Sequence, residues 1–261
     1  MQPKSRRIVV KFGTGILTKP AGVGLDEEQF ARLVHAIAGL RIAGHRPIVV
    51  SSGAVGAGSL AFGLPARPTD TATMQACAAV GQTRLMGVYD RLFREHGLLV
   101  AQLLLTHDDL AEENRRQNLH NTLSRLLDFG NVIPIINEND SVATEELKVG
   151  DNDKLSAGVA RIAGADLLIL LTAADGFEAD GAVIPQVDDI DAVLSHVRDE
   201  KGALSVGGMR TKLEAVRSAI DAGIETVIAN GRRPERLHDL AAGHGVGTRF
   251  SVSSAQKVDT P

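Results

Sequence analysis

Six short runs along the chain are apolar at nearly every position: IVVKF (8–12), PIVVSS (47–52), LLVAQLLL (98–105), VIPIIN (132–137), DLLILL (166–171) and TVIA (226–229). Strands that lack polar alternation are buried on both faces. Between them, apolar residues recur at helical spacing over 26–43, 74–96, 118–129, 154–163 and 209–222. Asp26 has the position of an N-cap, with Gln29 three residues on, and Gly223 stops the last helix. Strand and helix alternate, which predicts an α/β fold: a mostly parallel sheet covered by helices on both sides. A small hairpin is expected at EADGAV (178–183), turning on Asp180 and Gly181. No linker, repeat or shift of composition divides the chain, so residues 1–261 read as a single domain.

In open parallel sheets, ligands gather at the carboxyl ends of the strands. Here those ends carry the unusual residues: KFGTG after the first run, SSGAVGAG after the second, NEND after the fourth and TAADG after the fifth. KFGTG pairs a lysine, Lys11, with two glycines, so backbone can approach an anion that the ammonium also attracts; an ordinary glycine turn is the competing reading. SSGAVGAG opens a helix with small residues, as either an anion seat or close helix–sheet packing requires. SVGGMRTK (205–212) puts Gly207 and Gly208 ahead of a helix that carries Thr211 and Lys212. It is not a Walker loop, because Gly208 stands where that loop needs its lysine, and Thr18 likewise breaks a dinucleotide fingerprint after the first strand.

Composition narrows the partners. With 28 basic against 32 acidic residues, interspersed, the net charge is −4, and there is no tryptophan. Neither a phosphate-backbone footprint nor a base-stacking platform is present, so nucleic acid is not an expected partner. The one cysteine, Cys77, has no partner for a disulfide and no histidine or cysteine at metal-ligand spacing, which fits a reducing, cytoplasmic setting. The apolar run near the start meets Lys11 at once, too soon for a signal peptide or a membrane span.

The most specific stretch is INENDSVATEELKVGDNDKLSAG (136–158), with six carboxylates and three asparagines. In it Asp153 is expected to cap a helix beginning at Lys154, leaving Asp151 and Asn152 free beside the sheet end.

In order along the chain, VVKFGTG, VVSSGAVGAG, AAVGQTRL, INENDSVAT, VGDNDKLSA, GGMRTKLEA and VGTRF resemble the glutamate 5-kinases of the amino acid kinase superfamily, from about Arg6 to Phe250. The resemblance implies a three-layer α/β/α sandwich with an open, mainly parallel sheet of about eight strands. It implies transfer of the γ-phosphoryl group of ATP, with Mg2+, to the side-chain carboxylate of L-glutamate, the first step of proline biosynthesis. By position, Lys11 and Lys212 would hold phosphates, Ser52, Asp140 and Asn152 would bind glutamate, and Thr172, Ala173 and the segment Val206, Gly207, Gly208, Met209, Arg210, Thr211 and Lys212 would lie at the nucleotide. It further implies feedback inhibition by proline, through the glutamate subsite and the polar segment 106–121, and a homo-oligomer, dimer or tetramer. Many family members carry a C-terminal PUA domain; this chain is expected to lack one.

Departures from the family pattern fall on the nucleotide side, where Ala173 replaces an aspartate and Ser205-Val206 replaces Gly-Thr. They leave two alternatives open: a kinase for another small acid such as aspartate, and a sensor that has lost turnover. Acids in an anion site have a physical reason. Glutamate brings an ammonium that needs oxygen partners, which Asp140 and Asn152 supply. An acid between two lysines fixes their charges where the transferring phosphoryl passes, the role expected of Asp153. No general base is required, because a carboxylate with an ordinary pKa near 4.3 is already ionised.

Overall fold

The structure, a computed structural model, describes residues 5–19, 24–142, 151–179, 181–199 and 206–252. Its strands are β1 (Arg7–Phe12), β2 (Arg46–Val50), β3 (Leu99–Leu105), β4 (Val132–Glu138), β5 (Leu167–Thr172), β6 (Glu178–Ala179), β7 (Ala182–Val183), β8 (Gln186–Val187), β9 (Glu225–Asn230) and β10 (Thr248–Phe250). The helices are α1 (Thr14–Leu17), α2 (Glu27–Ile42), α3 (Ala54–Ala61), α4 (Thr71–Arg94), α5 (His107–Ala111), α6 (Glu113–Phe129), α7 (Asp151–Ala163), α8 (Ile190–Asp199), α9 (Val206–Asp221) and α10 (Leu237–Ala241). Eight strands form one sheet in the order β3-β4-β2-β1-β5-β9-β10-β8. Pairing is parallel except between β9 and β10. This is the expected three-layer sandwich.

Side-chain parity explains why the strands show no polar alternation. Val9, Ile48, Val50, Ile136, Leu168, Leu170 and Ile228 face a layer made by α6, α7 and α9. Their neighbours Ile8, Val10, Val49, Ile135, Leu167, Ile169 and Val227 face α2, α4 and α10. Both faces are apolar because both are covered. The third apolar run departs from that rule: β3 is an edge strand, and its Leu99 is 55% exposed. The hairpin forms as β6–β7, with Gly181 at φ +76°; Asp180 lies outside the described residues.

Helix α2 starts as read, with the Asp26 carboxylate accepting from the Gln29 amide. Helices α3 and α4 meet backbone to backbone: a Cβ on Gly58 would lie 1.8 Å from the Cys77 carbonyl oxygen, and one on Gly81 would lie 1.8 Å from that of Ala54. Small residues here therefore serve close packing, and that packing fixes where α3 begins above the end of β2. Among the described residues no helix is long and apolar enough to cross a membrane.

Candidate active site

A cavity of about 500 Å³ opens at the carboxyl ends of β1, β2, β4 and β5, within the range of small-molecule sites. Lys11 is the fifth residue of β1 and shares the parity of Val9, so it points to the face covered by α7 and α9. There its Nζ lies 2.5 Å from Asp153 Oδ1, while Lys212 Nζ, from α9, lies 3.0 Å from Asp153 Oδ2. The carboxylate is fully buried and Lys11 is 4% exposed. One acid thus holds two ammonium groups from elements far apart in sequence, and the three together keep one net positive charge. Burial, the largest influence, pushes the Lys11 ammonium below the usual lysine range; Lys212 adds to this, and Asp153 opposes it.

Asp153 is therefore not the N-cap that the sequence suggests. Helix α7 already includes Asp151, so Asp153 lies within the first turn. Its carboxylate is free to reach across to the lysines, and Ser156 Oγ donates to its carbonyl at 2.6 Å.

The neighbouring Asn152 serves the other half of the cavity. Its Nδ2 lies 2.8 Å from the Ser51 carbonyl oxygen, 2.7 Å from Ser52 Oγ and 3.2 Å from Asn137 Oδ1. A carbonyl only accepts, so the atom facing Ser51 must be the amide nitrogen. That leaves Asn152 Oδ1 as a buried acceptor with no partner among the described residues. Behind it, Asn137 donates to Gln82 Oε1 at 2.9 Å. Ser52, Asn137, Glu138, Asp140 and Asn152 line this half of the cavity together. A buried, unpartnered carbonyl oxygen beside carboxylates is an environment for a cation carrying hydrogen-bond donors.

The other half is lined by Gly13 to Ile16, Leu171, Thr172, Ala173 and Lys212. Gly13 N–H is taken by the Leu171 carbonyl at 3.3 Å, so the glycine loop is braced against β5. Of residues 208–212, Lys212 alone lines the cavity. Met209 packs toward the core, Arg210 Nε donates to Glu214 at 3.1 Å, and Thr211 Oγ1 donates to the Gly208 carbonyl at 3.2 Å. Val206 and Gly207 form the first turn of α9, and residues 201–205 lie outside the described ones. Asp175, a conceivable substitute for the acid missing at Ala173, accepts from Asn230 Nδ2 at 3.0 Å and does not line the cavity.

Sequence reasoning placed Lys11, Ser52, Asp140, Asn152, Asp153, Thr172, Ala173 and the segment Val206 to Lys212 at the site; the first seven and Lys212 line the cavity, whereas Gly208, Met209, Arg210 and Thr211 do not. It missed Asn137, whose signal was its place inside NEND at the end of an apolar run, and Arg67, for which the local sequence GLPARPTD gave no signal.

An open, mainly parallel sheet with two lysines clasped at its carboxyl edge suits a small-molecule phosphotransferase. The family model "Amino acid kinase family" matches residues 6–230. Glutamate 5-kinase of Salmonella paratyphi B is 44% identical over 259 residues, covering 96% of this chain and 70% of that protein, and that of Citrobacter koseri matches equally. Carbamate kinase from Giardia lamblia bound to AMP-PNP shares the fold at a TM-score of 0.66, with 15% identity over 95% of this chain and 99% of that one. N-acetylglutamate synthase from Neisseria gonorrhoeae also superposes, at a TM-score of 0.66 and 17% identity, over 95% of this chain and 62% of that one. The chain belongs to the amino acid kinase family and, within it, to the glutamate 5-kinases.

Proposed function

We propose that this chain transfers the γ-phosphoryl group of ATP to the side-chain carboxylate of L-glutamate, giving glutamyl 5-phosphate and opening proline biosynthesis. The observation that carries the reading is Asp153 clasping Lys11 and Lys212 at the junction of an acid- and amide-lined half-site and a glycine-lined one. The substrate ammonium meets Asn152 Oδ1 and Asp140. Ser52 Oγ accepts from Asn152, so its own proton is available to a substrate oxygen. The nucleotide lies over Gly13 to Ile16, Thr172, Ala173 and the start of α9.

A carboxylate oxygen of glutamate attacks the γ-phosphorus as the bond to the bridging oxygen breaks, and ADP departs with that electron pair. Repulsion between anions is the barrier, and two fixed ammonium groups lower it by sitting where charge spreads over the phosphoryl oxygens. No side chain has to remove a proton, since the acceptor is ionised at neutral pH. Among the described residues no three His, Cys, Asp or Glu side chains gather as a metal cage, and the Asp153 carboxylate is already shared by two lysines. Mg2+ would be carried mainly by the nucleotide phosphates, where it would supply further positive charge.

The reading extends to one catalytic domain in the cytoplasm, a homo-oligomeric assembly, and inhibition by proline at the glutamate half-site. Its direct test is incubation with ATP, Mg2+ and L-glutamate, with hydroxylamine trapping the acyl phosphate as the γ-hydroxamate. L-Aspartate serves as the competing acceptor. Hydroxamate formed with aspartate but not glutamate would overturn the substrate assignment.

A further inference from the structure

Charge bookkeeping in the cavity leaves one group unused. Lys11 and Lys212 share Asp153, and Glu138, Asp140 and the Asn152 carbonyl oxygen suit the substrate ammonium. A glutamate arriving here also carries an α-carboxylate that takes no part in the chemistry. Arg67 lines the same cavity, yet among the described residues it makes no hydrogen bond and no ion pair. Several arginines elsewhere in the fold are engaged; Arg91, for example, pairs with Glu27 at 2.6 Å.

Arg67 stands on the connection between α3 and α4, and the N-terminal residues of α3, Ala54 and Val55, line the cavity with it. Its side chain is exposed, so the guanidinium stays hydrated until a ligand enters. A guanidinium is a planar fork that meets a carboxylate through two parallel N–H bonds, whereas Lys11 and Lys212, as point charges already shared, offer no such match.

We infer that Arg67 is a specificity-determining residue that grips the α-carboxylate of the amino-acid substrate, joined by the first amides of α3. This deepens the glutamate reading and rests on it. The grip selects for an amino acid over a simple carboxylic acid.

The test uses the full chain with Arg67→Ala and Arg67→Lys, measuring KM for glutamate, KM for ATP and kcat. 4-Aminobutyrate, which is glutamate without the α-carboxylate, serves as a competitor. Arg67→Ala is expected to raise the glutamate KM about tenfold, with the ATP KM, kcat and the inhibition constant of 4-aminobutyrate each within about twofold of the parent. Arg67→Lys should fall between, since it keeps the charge and loses the fork. An unchanged glutamate KM overturns the inference, as does an equal loss for 4-aminobutyrate or a rise confined to the ATP KM. A parent protein inactive on glutamate would sink the functional reading itself, whereas an active parent with a silent Arg67→Ala sinks only this assignment. Because Arg67 is exposed, both variants should fold, and circular dichroism checks that they do.

Discussion

Lys212 and Lys11 share one carboxylate but should fail differently. Lys212 is partly exposed on a helix and Lys11 is buried under it, so Lys212→Ala should leave the fold intact while removing a charge from the flying phosphoryl. A loss of roughly 3 kcal/mol of barrier, about a hundredfold in kcat, is expected with a nearly constant glutamate KM; an unchanged kcat removes Lys212 from the chemistry. Lys11 adds a pH dependence. Its ammonium is the useful form and burial lowers its pKa, so kcat/KM for ATP should begin to fall at a pH below the ordinary lysine value of about 10.4. Lys11→Arg, which keeps its charge, should lose that alkaline limb even if its rate is lower. For folding the same shift has the opposite sense: the unfolded chain holds the proton more tightly, so Lys11 costs stability at neutral pH. That cost shrinks as pH rises through its folded value. The residue types of this site were legible from their loops, but the role of Asp153 was only half so. Local sequence favoured a helix cap, and the lysines that claim its carboxylate are 142 and 59 positions away.

At the level of elements, apolar runs without alternation announced six strands, because burial on both faces leaves that mark on sequence. Short strands left none: β8 has two residues and β10 three, too few for any period to appear. The edge position of β3 was equally hidden, since its residues are as apolar as those of a central strand. Helix α3 was read only as a helix start after SSG, yet its exact placement decides the substrate wall. Gly53 caps it at φ +99°, a conformation glycine adopts without strain. Gly81→Ala should test the wall directly. Its new methyl would meet the Ala54 carbonyl oxygen at 1.8 Å, so α3 must move. Overpacking of this kind costs about 1–3 kcal/mol, seen as a lower denaturation midpoint. Because Ala54 lines the cavity with the residues proposed to bind glutamate, the glutamate KM should rise several-fold while the ATP KM holds. A variant with parental stability and parental glutamate KM would show that the α3–α4 contact does not set the site.

Across the whole molecule, the two half-sites lie over different strands: amides and acids at the ends of β2 and β4, glycines and threonines at those of β1 and β5. That division predicts how an end-product should act. Proline carries an ammonium and an α-carboxylate like the α-end of glutamate, but no side-chain carboxylate, so it can occupy the acid- and amide-lined half without accepting a phosphoryl group. It should therefore compete with glutamate and not with ATP. Asp140→Ala should weaken both amino acids in parallel, on the order of 2 kcal/mol or more, because each loses a partner for its ammonium. Helices α5 and α6 supply a further check. Leu119, Leu123 and Leu127 anchor α6 to the sheet, whereas α5 has no buried residue and packs on α7, the helix that carries Asn152. Hydrogen exchange across 106–121 should slow on adding proline or glutamate and stay unchanged with ATP alone. Inhibition that high glutamate cannot reverse, or protection of α5 by ATP alone, would count against proline binding at this half-site.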